Sequence, residues 1–191
     1  WIKLAYTVLA VLVLAVYWVR YGPRNFLWFS DVALFLLVPA LWLESALIAS
    51  VVAVGTLALE LFWNLDFAAR LLFGHRSKGL TGYMFEAERP LWLRGLSLFH
   101  VPLPAVTVYL VWVLGYDPHA LPAMLVLGWG VLVATWRWTA PADNVNWIHG
   151  LGGGPRTERA PLGNLLRLML AFPLLVWLPS HLALAWLFPT A

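Results

Sequence analysis

The sequence predicts an all-α fold, a polytopic transmembrane helix bundle of about six spans in a single domain. Of the 191 residues, 62% are hydrophobic and only 11% are charged, a balance far from that of a soluble domain. Apolar runs of about 20 residues, the length that crosses a hydrocarbon core of about 30 Å, recur along the chain. The basic residues fall between these runs. Together, these observations indicate an integral membrane protein.

The apolar runs predict spans at about 1–19, 26–43, 46–63, 94–114, 121–139 and 164–188. The first run is not followed by a small-residue cleavage pattern, so we expect it to be retained as a helix. The longest polar connection follows the third span, and we expect a short interfacial helix over 67–73 within it. A loop rich in Gly and Pro precedes the last span.

The distribution of Lys and Arg predicts the orientation. When the six spans are threaded back and forth, Lys3 lies on one side and the other eleven of the 12 Lys and Arg residues lie on the opposite side. Cytoplasmic loops are enriched in Lys and Arg, so we expect both termini outside the cytoplasm. Because the basic residues separate spans, no nucleic-acid partner is expected. The absence of cysteine excludes disulfides and a thiol nucleophile.

Ionisable residues inside the predicted spans are the main functional signal. His100 follows Arg94 by six residues, which places it about 9 Å deeper in the membrane at about 1.5 Å per residue. Ser30, Asp31 and Glu60 lie at a similar depth on the same side. Such groups are costly in lipid and usually face the bundle interior. We therefore expect a polar cavity in the cytoplasmic half, with Glu60 buried among protein groups.

Further polar residues surround this level. Glu60 and Asn64 share one face of the third helix with Thr56, because the three residues are spaced at i, i+4. The loop after the fifth span carries two asparagines and could fold over the same side as a lid. We expect four residues to contact a substrate: Asn64, Asn144, Asn146 and Arg94. Two other histidines, His119 and His181, fall on the opposite side.

Three short motifs follow one another along the chain: Phe29-Ser30-Asp31, then Phe99-His100, then an Asn-containing loop before a Pro-rich last helix. This order resembles bacterial YwaF-type membrane proteins. It is similar, more distantly, to the androgen-induced, FAR-type six-helix intramembrane hydrolases and related acyltransferases. The resemblance implies a bacterial inner (cell) membrane location and action on acyl esters of lipids. It implies Ser30 as the nucleophile and His100 as the base, although those enzymes place Thr or Cys where this chain has Ser30.

Three hypotheses of function remain open. The first is an intramembrane hydrolase or acyltransferase without a cofactor, in which Glu60 or Asp31 orients the imidazole of His100. The second is a site that holds a divalent metal ion or relays protons through Asp31, Glu60 and His100. The third is an accessory or scaffold subunit of a larger membrane complex. Membrane lipids are the expected partners, with other membrane subunits under the third hypothesis.

Overall fold

The computed structural model describes residues 1–74, 80–151 and 157–191, and these residues form a bundle of helices. No β-strand occurs within these three ranges, where the only extended pairing is an isolated bridge between Tyr116 and Thr190. The all-α prediction is confirmed. The helices are α1 (Ile2–Tyr21), α2 (Phe29–Leu43), α3 (Ala46–Phe73), α4 (Leu91–Leu96), α5 (Pro102–Leu114), α6 (Ala120–Trp138), α7 (Leu162–Phe172) and α8 (Leu178–Leu187).

Five helical stretches are long and apolar enough to cross a membrane: Ile2–Tyr21, Ala46–Phe73, Leu91–Leu114, Ala120–Trp138 and Leu162–Leu187. Large apolar side chains such as Leu12, Trp112 and Leu170 are exposed on their outer faces. Exposed apolar surface on this scale is costly in water and favourable in lipid. The bundle is therefore compatible with an integral membrane protein.

The second predicted span is shorter than expected. The chain forms a 3-10 turn over Pro23–Leu27, Trp28 is extended, and α2 begins only at Phe29. Its 15 residues reach about 22 Å at about 1.5 Å per residue, less than a hydrocarbon core of about 30 Å. The extended Trp28 separates the 3-10 turn from α2, so the α-helix begins three residues after the predicted start of the span at residue 26.

The central element is α3, which packs against α2, α5, α6 and α8. Its buried side includes Ala49, Ala53 and Gly55, and such small residues let neighbouring helices approach closely. The helix does not stop near residue 63 but continues to Phe73 and ends at Gly74, which has a φ of 63°. The segment expected as a separate interfacial helix over 67–73 is therefore the last turns of α3. No proline interrupts it.

The fourth predicted span is not one continuous α-helix. Between α4 and α5 the chain forms a 3-10 turn over Ser97–His100. Pro102 and Pro104 lack backbone N–H groups, so neither can donate the α-helical hydrogen bond to the carbonyl four residues before it. The carbonyl of His100, which an N–H of residue 104 would have bound, instead accepts a hydrogen bond of 2.8 Å from the Asn64 side chain. The prolines thus interrupt the α-helix at His100.

Contacts between distant segments define the two ends of the bundle. At one end, Lys3 forms an ion pair of 2.7 Å with Glu44, and the N–H of Asp117 donates to Ser50. His181 also lies at this end, where its Nδ1 is 2.6 Å from the hydroxyl of Tyr116. The opposite end is formed by the C-terminus of α1, the N-terminus of α2 and the loops that follow α3 and α6. The polar cavity lies there.

Candidate functional site

A cavity of about 920 Å³ lies at the end of the bundle where α1 ends and α2 begins. Ser30, Asp31, Glu60 and His100 all line it, although three separate segments of the chain supply them. Thr56, one turn before Glu60 on α3, lines the same cavity. Side chains that the sequence places at a similar depth therefore line a common cavity. Volumes of several hundred Å³ suit small-molecule ligands.

The floor of the cavity holds a buried pair of Glu60 and His100. The Oε2 atom of Glu60 lies 2.7 Å from Nδ1 of His100, and the two residues are 3% and 8% exposed. The prediction that Glu60 faces protein rather than lipid is confirmed. A carboxylate can only accept hydrogen bonds, so Nδ1 carries the proton in this pair. The lone pair is then left on Nε2, the arrangement that suits a general base.

Aromatic rings fix the orientation of the imidazole. The His100 ring stacks on Trp63, with centroids 4.4 Å apart and planes 17° apart, and on Phe99, at 4.2 Å and 23°. Stacking restricts rotation of the ring about its side-chain bonds. The apolar rings also exclude water, which strengthens the interaction with Glu60. Together with the Asn64 bond to its carbonyl, these contacts hold His100 in one position.

Asp31 lies in the first turn of α2 and is 3% exposed. Its Oδ1 atom is fully buried, and no group in the described part of the chain donates a hydrogen bond to it. The positive end of the helix dipole favours a carboxylate at this position. Glu60 lies at the same floor of the cavity. The floor therefore contains two carboxyl groups and one imidazole.

Ser30 lines the cavity but does not contact the imidazole directly. It is half-buried, and no hydrogen bond joins its Oγ to His100 within the described ranges. Consecutive residues of a helix are about 100° apart, and Ser30 and Asp31 both reach the cavity because it is wide. The structure thus brings the predicted nucleophile and base to one cavity without pairing them.

Asn146 joins the loop after α6 to the start of α2. Its Oδ1 accepts a hydrogen bond of 3.2 Å from the N–H of Phe29, and its Nδ2 donates to the carbonyl of Leu27 at 2.7 Å. It therefore caps the helix that carries Ser30 and Asp31 from 117 residues away. The predicted substrate ligand lines the cavity, but its amide is occupied by backbone.

The loop that carries this cap has an unusual backbone. Asn144, Asn146 and Trp147 have φ values of 40°, 50° and 56°, in the left-handed region that non-glycine residues seldom adopt. Such strain is stored where the surrounding structure requires it, often at functional sites. Val145, Asn146 and Trp147 line the cavity, so the strained loop covers one side of it. The loop was predicted from the sequence as a lid.

The other three residues predicted to contact substrate lie outside the cavity wall. Asn64 donates to the carbonyls of Glu60 and His100. Asn144 donates to the carbonyl of Gly150 and accepts from the N–H of His149, which closes the loop. Arg94 donates to the carbonyl of Met84. Each of these side chains satisfies backbone groups of turns and broken helices, which a reading of depth alone cannot detect.

Several tyrosine and serine residues of the cavity were not identified from the sequence. The hydroxyls of Tyr17 and Ser97 are 2.7 Å apart on the cavity wall. Tyr83 lies nearby, and burial raises the pKa of its phenol to about 12, so it is a neutral hydrogen-bonding group. The signal for Tyr17 was its spacing of four residues from Tyr21, which puts both on one face of α1.

The mouth of the cavity differs in charge from its floor. Tyr21, Arg24 and Asp143 are exposed lining residues, and Arg89 beside them is half-buried. Arg89 donates to Glu86 at 2.6 Å and to the hydroxyl of Tyr21 at 3.2 Å. The arginines of the cavity therefore lie at the entrance, whereas Asp31 and Glu60 lie at the floor. A ligand inside the cavity would interact electrostatically with both groups of residues.

The described residues contain no group of three His, Asp or Glu side chains arranged to hold a metal ion. Asp31, Glu60 and His100 share the cavity, but only Glu60 and His100 are in contact. A comparison of the chain with known protein families, curated proteins and solved structures gives no match.

Proposed function

We propose that the protein is an intramembrane hydrolase or acyltransferase of lipid acyl esters. One observation carries the proposal: the buried Glu60–His100 pair, 2.7 Å apart, lies in the same cavity as Ser30. A carboxylate that fixes the tautomer of an imidazole, next to a hydroxyl nucleophile, is the arrangement that acyl transfer requires. In this proposal Ser30 is the nucleophile, His100 the base and Glu60 the orienting acid.

The reaction proceeds in two steps. Ser30 Oγ attacks the ester carbonyl carbon while His100 Nε2 takes the hydroxyl proton, and the alcohol then leaves with that proton as its C–O bond breaks. Water in a hydrolase, or a second alcohol in an acyltransferase, attacks the acyl-Ser30 ester and gives its proton to Nε2. The acid or new ester departs, and Ser30 Oγ regains the proton.

The absence of a Ser30–His100 hydrogen bond is compatible with this role. Catalytic hydrogen bonds are often long or misaligned without substrate and tighten when it binds. Ser30 belongs to the first turn of α2, whose position depends on Asn146 in the strained loop. A small movement of that loop would therefore carry Ser30 with it. Lipid substrates are accessible to the protein because its outer surface is apolar.

A fluorophosphonate probe tests the nucleophile directly, because it forms a phosphorus–oxygen bond to an activated serine and releases fluoride. We expect purified wild-type protein to label, and Ser30→Ala to abolish labelling. His100→Ala should slow labelling by about 100-fold or more, the usual contribution of a general base. Ser97→Ala is the matched control, since Ser97 lines the same cavity but its hydroxyl is paired with Tyr17.

The role of Glu60 is tested by Glu60→Gln, which keeps the shape but lets the side chain donate to Nδ1. The wrong tautomer is then favoured, so we expect labelling to slow by at least about tenfold while the melting temperature changes little. Absence of labelling in the wild type, or undiminished labelling of Ser30→Ala, would refute the proposed nucleophile. Unchanged labelling of both His100→Ala and Glu60→Gln would refute the pair as the base.

A further inference from the structure

We propose that the cavity binds a ligand with a primary ammonium group and that the carboxylate of Asp31 is the counter-ion of that group. The substrate of the reaction proposed above would then be an amine-bearing lipid ester. The ester rests on that proposed function, whereas the amine rests on the geometry of Asp31 alone.

The floor of the cavity contains a buried carboxyl group that lacks a partner, Asp31. Glu60 shares a hydrogen bond with His100, whereas among the residues that the structure describes Asp31 has no ion-pair partner and its Oδ1 has no donor. Buried carboxylates are normally paired or hydrogen-bonded, since an unpaired one is costly. Asp31 is 3% exposed and lines a cavity of about 920 Å³. The missing partner can therefore be supplied from the cavity.

The surroundings of Asp31 favour an ammonium group over a neutral donor. The carboxyl group is close enough to Tyr17 and Tyr83 to interact with them electrostatically, and Trp28 and Trp63 line the same cavity. Aromatic faces attract cations. A hydrogen bond between ammonium and carboxylate is also stronger than one from a hydroxyl, because both partners are charged. Glu60 adds a second negative charge nearby.

The arginines of the mouth provide the competing interpretation. Arg24 is exposed and lines the cavity, so an anionic ligand could bind at the entrance instead. Arg24 lies exposed at the rim, whereas Asp31 lies at the floor, where its Oδ1 is buried without a partner in the described part of the chain. Three probes that share one chain and differ in the head group separate these interpretations: hexylammonium, hexanol and hexanoate.

Apparent dissociation constants can be obtained from the rise in melting temperature that each probe causes in purified full-length protein. We expect hexylammonium to bind at least about tenfold more tightly than hexanol, a difference of about 1.4 kcal/mol, and more tightly than hexanoate. Equal binding of hexanol would overturn the proposal in favour of a simple hydrogen-bond donor. Tighter binding of hexanoate would overturn it in favour of the arginines at the mouth.

Two substitutions locate the effect. Asp31→Asn removes the charge and keeps the shape of the side chain. The dissociation constants of hexylammonium and hexanol should then be about equal. Asp143→Asn removes an exposed acidic group of the mouth and should keep the preference. Persistence of the preference in Asp31→Asn would refute the proposal. If Asp31→Asn does not fold, the ranking of the three probes on the wild type decides.

The outcome is independent of the acyl-transfer reaction. Ser30→Ala cannot react with a fluorophosphonate in the proposed mechanism, but it retains Asp31 and should retain the preference for hexylammonium. If the wild-type protein prefers hexylammonium but is not labelled by the fluorophosphonate, the ammonium site is supported and the proposed nucleophile is refuted. If it is labelled but shows no preference for hexylammonium, the proposed nucleophile is supported and the ammonium site is refuted.

Discussion

At the residue scale, His100 is held through both its ring and its backbone. The ring contacts Glu60, and the carbonyl, left without a helical donor by Pro104, accepts from Asn64. Both supports come from α3, on which Glu60 and Asn64 are one turn apart. A rigid central helix therefore sets the position of the imidazole. Ser30 is held differently, by a loop that reaches α2 from another part of the chain.

Asn146→Ala tests the support of Ser30. The substitution removes the acceptor of the Phe29 N–H and the donor to the Leu27 carbonyl. Loss of a helix cap and exposure of two unsatisfied backbone groups should lower the free energy of unfolding by about 1–2 kcal/mol. This lower stability should appear as a lower melting temperature of the purified variant in detergent.

The control for this substitution is Asn25→Ala. Asn25 also lines the cavity, and its side chain makes no hydrogen bond in the described structure. It should therefore melt close to the wild-type temperature. If Asn146→Ala and Asn25→Ala have the same stability, Asn146 does not act as the cap of α2.

The sequence was sufficient to group Ser30, Asp31, Glu60 and His100, because depth in a membrane follows from residue counts along a helix. It was insufficient for Asn146, whose partners are more than a hundred residues away in the chain. Nothing in a single sequence indicates which asparagine will satisfy a backbone group of another segment. The same limit explains Asn64, Asn144 and Arg94, which all bind backbone carbonyls.

At the scale of elements, the contact between α6 and the last span depends on a glycine. A Cβ atom added at Gly128 would lie 2.3 Å from the ring of Trp177, which is fully buried and rigid. Gly128→Ala should therefore separate the helices and lower the free energy of unfolding by about 1–3 kcal/mol, the usual cost of overpacking. Thermal unfolding of the purified protein measures this.

Gly130 provides the matched comparison on the same helix. Apart from the backbone of its own helix and its chain neighbours, no described atom lies within 4 Å of a Cβ placed there, and the residue is exposed. Gly130→Ala should leave stability unchanged or raise it by up to about 1 kcal/mol, because alanine favours the helix over glycine. Destabilisation by Gly130→Ala equal to that by Gly128→Ala would show that helix propensity or lipid contact, rather than Trp177, decides the effect.

The loop after α6 should respond to pH through His149. Its Nδ1 accepts a hydrogen bond of 3.2 Å from the N–H of Ala160, so the imidazole is neutral. Burial, followed by the charge of Arg159, lowers the pKa of His149. A group with a lowered pKa in the folded state stabilises the fold above its unfolded pKa of about 6.5. This contribution is lost as the pH falls from that value through the lower pKa of the folded state.

We therefore expect the melting temperature to fall between about pH 7 and pH 5 and to fall less in His149→Gln, which cannot titrate. His119→Gln is the control, because His119 is exposed at the other end of the bundle. An identical pH profile for the wild type and His149→Gln would show that other groups, such as carboxylates, cause the loss of stability.

The lengths of elements were less predictable than their existence. Each predicted apolar run coincides with helical structure, and five of these stretches are long enough to cross a membrane. The second helix nevertheless starts late, after the extended Trp28, and the fourth is broken, because Pro102 and Pro104 cannot donate helical hydrogen bonds. Hydropathy measures the preference of side chains for lipid and carries no information about backbone geometry. The unexpected extension of α3 to Phe73 follows from the same limit, because polar residues do not by themselves end a helix.

At the scale of the whole molecule, the ends of the bundle have different characters. The cavity, the strained loop, Arg24 and Arg89 share one end, whereas Lys3, Glu44 and the Tyr116–His181 pair lie at the other. The alternation of spans that the charges predict is consistent with these contacts. Orientation in the membrane therefore determines from which compartment the cavity opens.

The orientation can be tested with single cysteines, because the chain contains none. Ala87 and Ala142 are exposed at the cavity end, and His119 is exposed at the other. Cytoplasmic loops are enriched in Lys and Arg, so we expect the cavity end to face the cytoplasm. A membrane-impermeant maleimide applied to intact cells should then label His119→Cys, and should label Ala87→Cys and Ala142→Cys only after permeabilisation. The reverse pattern would place the mouth of the cavity outside the cell, where substrates would have to come from the outer leaflet. Labelling of all three variants in intact cells would contradict a single orientation.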